Sequence, residues 1–329
     1  MPYQQISSQN HITPLVSFIL TYYNKPIAML HQCIDSILAL SLRPYEREII
    51  IIDDGSDLSP MNELLKYGND IIYVRQQNQG PGIARNTGLR LANGQYIQFI
   101  DGDDQLNQAA YEHCLDIVRY QQPDMVLFDM TSHPTHGSTF NDEGPMSGSE
   151  YMRTRNIHGS ACCYIFQKNI IGTLRFSSLI YREDEEFTPQ LLLHAQKIII
   201  TDAKAYIYHN NSSSITHKKG KRNKVKMLSD NLQAILSLKT TMTSLSQNEQ
   251  QAMQRRIDQL TMDYIYNIII LTRSRHYLDR KLAILRREGL FPLPDRNYTT
   301  KYKWFRRLTN SDFGLKLLVN ILPLLKKER

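Results

Sequence analysis

Apolar residues follow two different rhythms along this chain. In the first hundred positions they form short, unbroken runs that stop at polar residues. Leu15-Val-Ser-Phe-Ile-Leu-Thr-Tyr-Tyr-Asn24, Glu48-Ile-Ile-Ile-Ile-Asp-Asp-Gly-Ser56 and Tyr96-Ile-Gln-Phe-Ile-Asp-Gly-Asp-Asp104 are three such runs. Strands this uniformly apolar are covered on both faces, which predicts a parallel sheet. Between the first two runs, Ile27 to Leu40 places Met29, Leu30, Cys33, Ile34, Ile37 and Leu38 on one helical face. Asn78-Gln-Gly-Pro-Gly-Ile-Ala-Arg-Asn-Thr-Gly88 reads as a glycine-containing turn that opens into a helix. Strand alternating with helix is the βαβ rhythm of an α/β domain, whose ligands sit beyond the carboxyl ends of the strands. Every polar cluster above falls at that end.

After residue 217 the pattern turns helical: Val225–Leu238, Asn248–Thr272 and Tyr277–Arg287 carry apolar residues at helical spacing. Tyr302-Lys-Trp-Phe-Arg-Arg307 and the segment from Phe313 to Lys327 mix apolar residues with cations. The last segment is too short and interrupted to span a bilayer. Its expected places are the protein's own surface or a membrane interface, with Trp304 and Phe305 at headgroup level and basic residues toward anionic lipid. The organisation read here is an α/β domain over 1–217 and a basic, mainly helical region over 218–329.

Charge sharpens that division. The 329 residues carry a net charge of +7, but residues 1–217 hold 15 Lys and Arg against 23 Asp and Glu, whereas residues 218–329 hold 24 against 9. A basic tail can bind nucleic acid, yet no nucleic-acid motif accompanies it, and that partner is set aside. Cys33, Cys114, Cys162 and Cys163 are few and not metal-spaced, as in a reducing compartment. The first residues lack the basic and apolar regions of a signal peptide, so the expectation is a cytoplasmic chain, peripheral at the inner face of the cytoplasmic membrane.

The candidate chemistry lies in the third apolar run. Asp101 and Asp103 form a D-x-D at the end of a buried strand. Carboxylates gathered in one place repel unless a cation joins them, and Mg²⁺ or Mn²⁺ takes one or two carboxylates together with substrate phosphates. The plainer reading is a surface Asp-Gly turn. Gly80, Gly82 and Gly88 do not form G-x-G-x-x-G, which argues against a dinucleotide site. A second acidic run, Glu183-Asp-Glu-Glu186, precedes a helical apolar pattern. By itself it reads as a helix N-terminus favoured by the dipole. The His133–Pro145 stretch reads as a polar loop.

Taken in order, V-S-F-I-L-T-Y-Y-N, I-I-I-I-D-D-G-S, G-x-A-R-N-T-G-L and Y-I-Q-F-I-D-G-D-D resemble the motifs of family 2 glycosyltransferases with the GT-A fold, of the bacterial cell-surface polysaccharide type. The resemblance covers roughly 14–217, with a nucleotide-sugar half over about 14–104 and an acceptor half over about 105–217. It implies a GT-A fold with a mostly parallel central sheet, a nucleotide-sugar donor, Mn²⁺ or Mg²⁺, and inversion at the anomeric carbon. Thr21 and Tyr23 would line the base and ribose pocket. Asp54 would accept from the uracil N3–H, which favours UDP, and Asp53 would be structural at its strand end. Arg85 and Asn86 would lie near the nucleotide. Asp101 would meet ribose, Asp103 the metal, and Asp104 would assist through water. In the acceptor half Asp184 would be the general base, with Glu183 a second choice. Cys163-Tyr164 stands where the family often has Trp-Asn. Ala205–Thr216 resembles the segment that closes the domain, and His209 replaces its frequent arginine, as a diphosphate contact or a bystander. The acceptor implied is a saccharide or a lipid-linked one. The rival readings are a sugar-phosphate nucleotidyltransferase, which should carry a Gly-rich basic loop after its first strand where Thr21-Tyr-Tyr-Asn24 stands, and a non-catalytic nucleotide-sugar or membrane-binding module.

Overall fold

A computed structural model describes residues 13–135, 137, 139–210 and 220–325. The elements in chain order are β1 (Val16–Tyr22), α1 (Ile27–Leu38), β2 (Arg47–Asp53), α2 (Met61–Leu64), β3 (Ile71–Arg75), α3 (Pro81–Leu91), β4 (Tyr96–Asp101), β5 (Gln105–Leu106), α4 (Gln108–Gln121) and β6 (Met125–Thr131). There follow β7 (Asp142–Met146), α5 (Gly148–Thr154), β8 (Tyr164–Gln167), α6 (Glu183–His194), β9 (Ile198–Ile207), α7 (Lys221–Met242), α8 (Gln247–Thr272), α9 (Arg275–Arg287), α10 (Thr300–Thr309) and α11 (Asp312–Leu325). The described chain forms two compact units. One takes the chain up to Glu143 with Cys162–Ile170 and Ile200–His209; the other takes Gly144–Ala161, Ile171–Ile199 and the chain from Asn210 onward.

The first unit is built on the sheet, whose strand order is β3-β2-β1-β4-β8-β6-β9-β5, with β7 pairing to β9 off that path. β3, β2, β1 and β4 are mutually parallel. β8 runs antiparallel to β4 and to β6, and β5 antiparallel to β9. The sheet is therefore mixed, with its parallel part where the apolar runs lie. Val16, Phe18, Ile19 and Leu20 of β1 and Ile50, Ile51 and Ile52 of β2 are fully buried. Each such side chain contributes about 1.5–3 kcal/mol of burial. Cover comes from α1 and α3. Helix α1 turns Leu30, Cys33, Ile34 and Ile37 inward, and α3 packs on β1 and β2. Cys33, Cys114 and Cys162 are buried, and none of the four cysteines forms a disulfide.

The second unit is helical: α8 packs against α5, α6, α7, α9, α10 and α11. Its buried face includes Ala252, Met253, Ile257, Leu260, Tyr264, Ile265, Ile268 and Ile269. Four helices match the periodic stretches in the sequence to within a few residues, namely α1, α7, α8 and α9. The stretch expected to be loop through Pro145 ends in β7, whose residues are mostly exposed. Its strand character comes from pairing with β9, not from an apolar pattern. Residues 211–219, which hold the end of the Ala205–Thr216 segment and the start of the basic run, lie outside the described residues, as do His136 and residues 326–329. No helix among the described residues is long and apolar enough to cross a membrane.

Candidate functional site

Parallel pairing brings three strand ends together in the first unit. Thr21 of β1 is in register with Asp101 of β4, and Tyr22 with Asp53 of β2. The chain turns immediately afterwards: the Gly102 amide donates to the Thr21 carbonyl at 2.8 Å, and the Asp54 amide to that of Tyr22 at 2.9 Å. The side chains at 21, 54, 101, 103 and 104 therefore all issue from the carboxyl edge of one parallel layer.

Their partners differ. Asp101 Oδ1 accepts from the Thr21 hydroxyl at 3.2 Å and from the Arg85 guanidinium at 3.0 Å. Asp103 pairs with Lys25 Nζ at 2.7 Å. Asp104 is almost fully buried, accepting from the Tyr206 hydroxyl and the His209 amide, each at 2.8 Å. Burial, then Asp101, then Asp103 push its carboxyl up to about 8, against the two bonds that oppose the rise. The same Tyr206 oxygen accepts from the Asp101 amide at 3.1 Å, so one buried phenol fixes the loop between two aspartates. The His209 ring lies 3.9 Å from Asp104 through Nδ1.

Asp53 and Asp54 hold backbone. Asp53 accepts from the Ser56 amide and the Tyr73 hydroxyl, both at 2.9 Å, and faces Arg75 at 3.5 Å. Asp54 Oδ1 accepts from Gln76 Nε2 at 2.7 Å and the Gln79 amide at 3.0 Å, and Oδ2 accepts from the Gly80 amide at 2.8 Å. Burial raises the Asp54 carboxyl and those bonds lower it. A carboxylate oxygen has about two lone-pair sites, so at Asp54 the remaining capacity is at Oδ2. Gly80, at φ +91°, is the turn into α3, and α3 presents the buried Arg85 and Asn86. Tyr23 is half-buried just beyond β1.

The acids at 183–186 open α6 in the second unit, after Arg182 in a left-handed conformation at φ +69°. They are not a uniformly solvated face. Glu183 is buried. Asp184 Oδ1 accepts from the Glu185 amide at 2.8 Å. Glu185 pairs with Arg182 at 3.1 Å and with the buried Arg256 of α8. Glu186 accepts from the hydroxyls of Ser177 and Ser237. Arg256 also donates to the Ile157 carbonyl at 2.8 Å. Burial pushes its guanidinium down to about 10, while Asp263 and Asp184 hold it up.

A divalent ion suits the first cluster in chemistry. Its donors are hard carboxylate oxygens of the kind Mg²⁺ or Mn²⁺ takes, with Asp103 paired to Lys25 and Asp101 to Arg85. Among the described residues no three His, Cys, Asp or Glu side chains converge as a cage, so an ion held by Asp103 would complete its shell from phosphate and water.

Lys25, Tyr206 and Arg256 were not among the sequence-derived candidates. Lys25 had a signal, a cation directly after the first strand. Tyr206 and Arg256 meet their aspartate and glutamate partners across 102 and 71 positions, and nothing local marks them.

This parallel-to-mixed sheet, with acidic residues at its strand ends, is the GT-A architecture. Over 92% of this chain and 90% of the other, it matches Staphylococcus aureus TarS 1–349 in complex with UDP-GlcNAc, at TM-score 0.60 and 17% identity. Residues 17–170 match the Glycosyl transferase family 2 model. Among curated proteins it is 28% identical over 222 residues to the uncharacterized glycosyltransferase EpsJ of Bacillus subtilis (strain 168), covering 62% of this chain and 63% of that one. It is 25% identical over 215 residues to the poly(ribitol-phosphate) beta-N-acetylglucosaminyltransferase TarP of Staphylococcus aureus (strain N315), covering 61% and 65%. The chain thus spans a little under two thirds of the length of these curated relatives.

Proposed function

We propose that the protein is an inverting, metal-dependent glycosyltransferase that moves a hexosyl or N-acetylhexosaminyl group from a nucleotide-diphosphate donor, UDP-sugar favoured, to a saccharide or lipid-linked hydroxyl in cell-surface polysaccharide synthesis. The observation that carries this reading is the cluster of Thr21, Asp54, Arg85, Asp101 and Asp103 at the carboxyl edge of a family 2 domain. TarS with UDP-GlcNAc and TarP acting on poly(ribitol-phosphate) supply the analogy for donor and acceptor. The donor half is residues 14–104 and the acceptor half 105–217.

In this reading Thr21 and Tyr23 line the base and ribose pocket, Asp54 Oδ2 takes the base N3–H, and Asp101 meets the ribose. Arg85, Asn86 and His209 lie toward the diphosphate, and Lys25 adds a second cation there. Asp103, with Asp104 behind it, would hold Mn²⁺ or Mg²⁺, whose chemistry when bound is to neutralise the departing diphosphate. Asp184 takes the proton of the acceptor hydroxyl that attacks C1, with Glu183 in support. An α-linked donor then gives a β-linked product. The basic region after residue 217 faces an anionic membrane surface on the cytoplasmic side.

Calorimetry with UDP, GDP and dTDP, each with and without Mn²⁺, tests the donor side: one nucleotide should bind only with the metal, and Asp103→Ala should lose that binding. Asp184→Asn should keep it while turnover falls by about 10²–10⁴-fold. An Asp184→Asn protein with wild-type turnover overturns the base assignment.

A further inference from the structure

Helix α11 is covered on one side only. Gly314, Leu315, Leu318 and Pro323 are buried, and the helix packs on α10 and α8. The outer side of such a helix is ordinarily polar. Here it carries Phe313, Leu317, Ile321 and Leu324, at spacings of four, four and three, with 77%, 36%, 42% and 63% of their surface exposed. Leu325 adds another exposed apolar group at the end. These spacings hold one line along the helix, so the exposure is a continuous stripe.

Cations surround it. Lys316 is exposed on α11, and α10 exposes Lys301, Lys303, Trp304 and Arg307. The Arg307 guanidinium lies 5.4 Å over the Trp304 ring. The acids on these segments are already engaged, Asp312 with Arg275 and Lys316, and Asp295 with Arg306. The sequence continues with Lys326, Lys327, Glu328 and Arg329, a net of two further positive charges.

We propose that this stripe is the surface by which the protein lies on an anionic lipid bilayer, with α11 in the plane of the headgroups. The inference rests on reading the C-terminal region as membrane-facing, and it assigns the contact to particular side chains. Fourteen residues make a helix roughly 21 Å long, shorter than the ~30 Å hydrocarbon core, so α11 lies in the interface and does not cross it. Apolar residues enter the acyl boundary while lysine and arginine meet lipid phosphates. A second copy is the poorer occupant, because a symmetric contact sets each patch of cations against its own like.

The test is flotation of the full chain with phosphatidylcholine vesicles, with and without phosphatidylglycerol. Wild-type protein should float with the anionic vesicles, less so as salt is raised. A variant carrying Leu317→Ser, Ile321→Ser and Leu324→Ser should partition at least about tenfold more weakly, with an unchanged circular dichroism spectrum and unchanged Mn²⁺-dependent nucleotide binding. Equal partitioning of the two proteins overturns the proposal, as does wild-type protein that ignores anionic vesicles. So does a lipid-independent dimer in sedimentation that the triple variant abolishes. Flotation that behaves as expected in a protein that binds no nucleotide leaves the docking surface standing and removes the donor reading.

Discussion

Gly88 sits in the middle of α3 with Ile19 of β1 where its side chain would be: an added Cβ would overlap Cγ2 of that isoleucine. Ile19 is fully buried in the central strand and cannot swing aside. The glycine is therefore what lets the helix lie close on β1 and carry Arg85 to within 3.0 Å of Asp101. Gly88→Ala gains the helix propensity of alanine, about 1 kcal/mol, but forces overpacking that costs typically 1–3 kcal/mol. The expected outcome in urea unfolding is a net loss of up to about 2 kcal/mol, together with weaker nucleotide binding as Arg85 shifts. A variant as stable as wild type would show that β1 yields more readily than its burial implies. At this scale the sequence displayed the acids and hid their partners. Asp101, Asp103 and Asp54 are visible because a buried apolar strand ends on them. Tyr206 and Arg256 are ordinary residues until the fold brings them to a carboxylate, and Lys25 is marked only by its place after the first strand.

Elements were legible where one physical cause dominates. β1, β2 and β4 are buried on both faces and read as unbroken apolar runs, and α8 repeats its buried face over 26 residues. β3 is only partly buried and β7 mostly exposed, so pairing defines them and composition does not. Helix α8 also shows what periodicity omits, a buried acid in its core-facing side. Asp258, 3% exposed, accepts from Gln254 Nε2 and from the Tyr298 hydroxyl, each at 2.7 Å. Burial raises its carboxyl above the ordinary value, and the two bonds and Arg296 only partly offset the rise. The folded chain thus keeps a proton that the unfolded chain releases near pH 3.9. Stability from this group is present below that value and is lost as pH climbs through the higher folded one. Asp258→Asn cannot titrate. In thermal melts from pH 4 to neutrality the wild type should lose midpoint temperature relative to Asp258→Asn, and curves offset by a constant would refute the linkage.

For the molecule as a whole, the charge division near residue 217 and the packing division fall differently. The helices after residue 220 share their compact unit with Gly144–Ala161 and Ile171–Ile199. Within it α5 and α6 pack on α8, and α6 packs on α7. Arg255 and Arg256 donate to the carbonyls of Arg153 and Ile157 at 2.7 and 2.8 Å. Asp230 accepts from the Ile180 and Tyr181 amides, each at 3.2 Å. These bonds fix the loop before α6 and the start of α6 itself, so the acidic run at 183–186 takes its conformation from residues far downstream. A chain cut after residue 217 would keep the sheet but lose every one of these partners. It would also uncover apolar faces of α5 and α6 and leave Glu185 without Arg256. Exposed apolar surface of that kind drives association. The fragment should therefore aggregate or bind 8-anilinonaphthalene sulfonate, where the full chain stays monodisperse in size-exclusion chromatography. A monomeric 1–217 fragment with the thermal midpoint of the full chain would mean that α7 and α8 only decorate α5 and α6. The packing argues instead that these helices share one core, because the carboxylate proposed as the base lies one residue from Glu185, which α8 holds through Arg256.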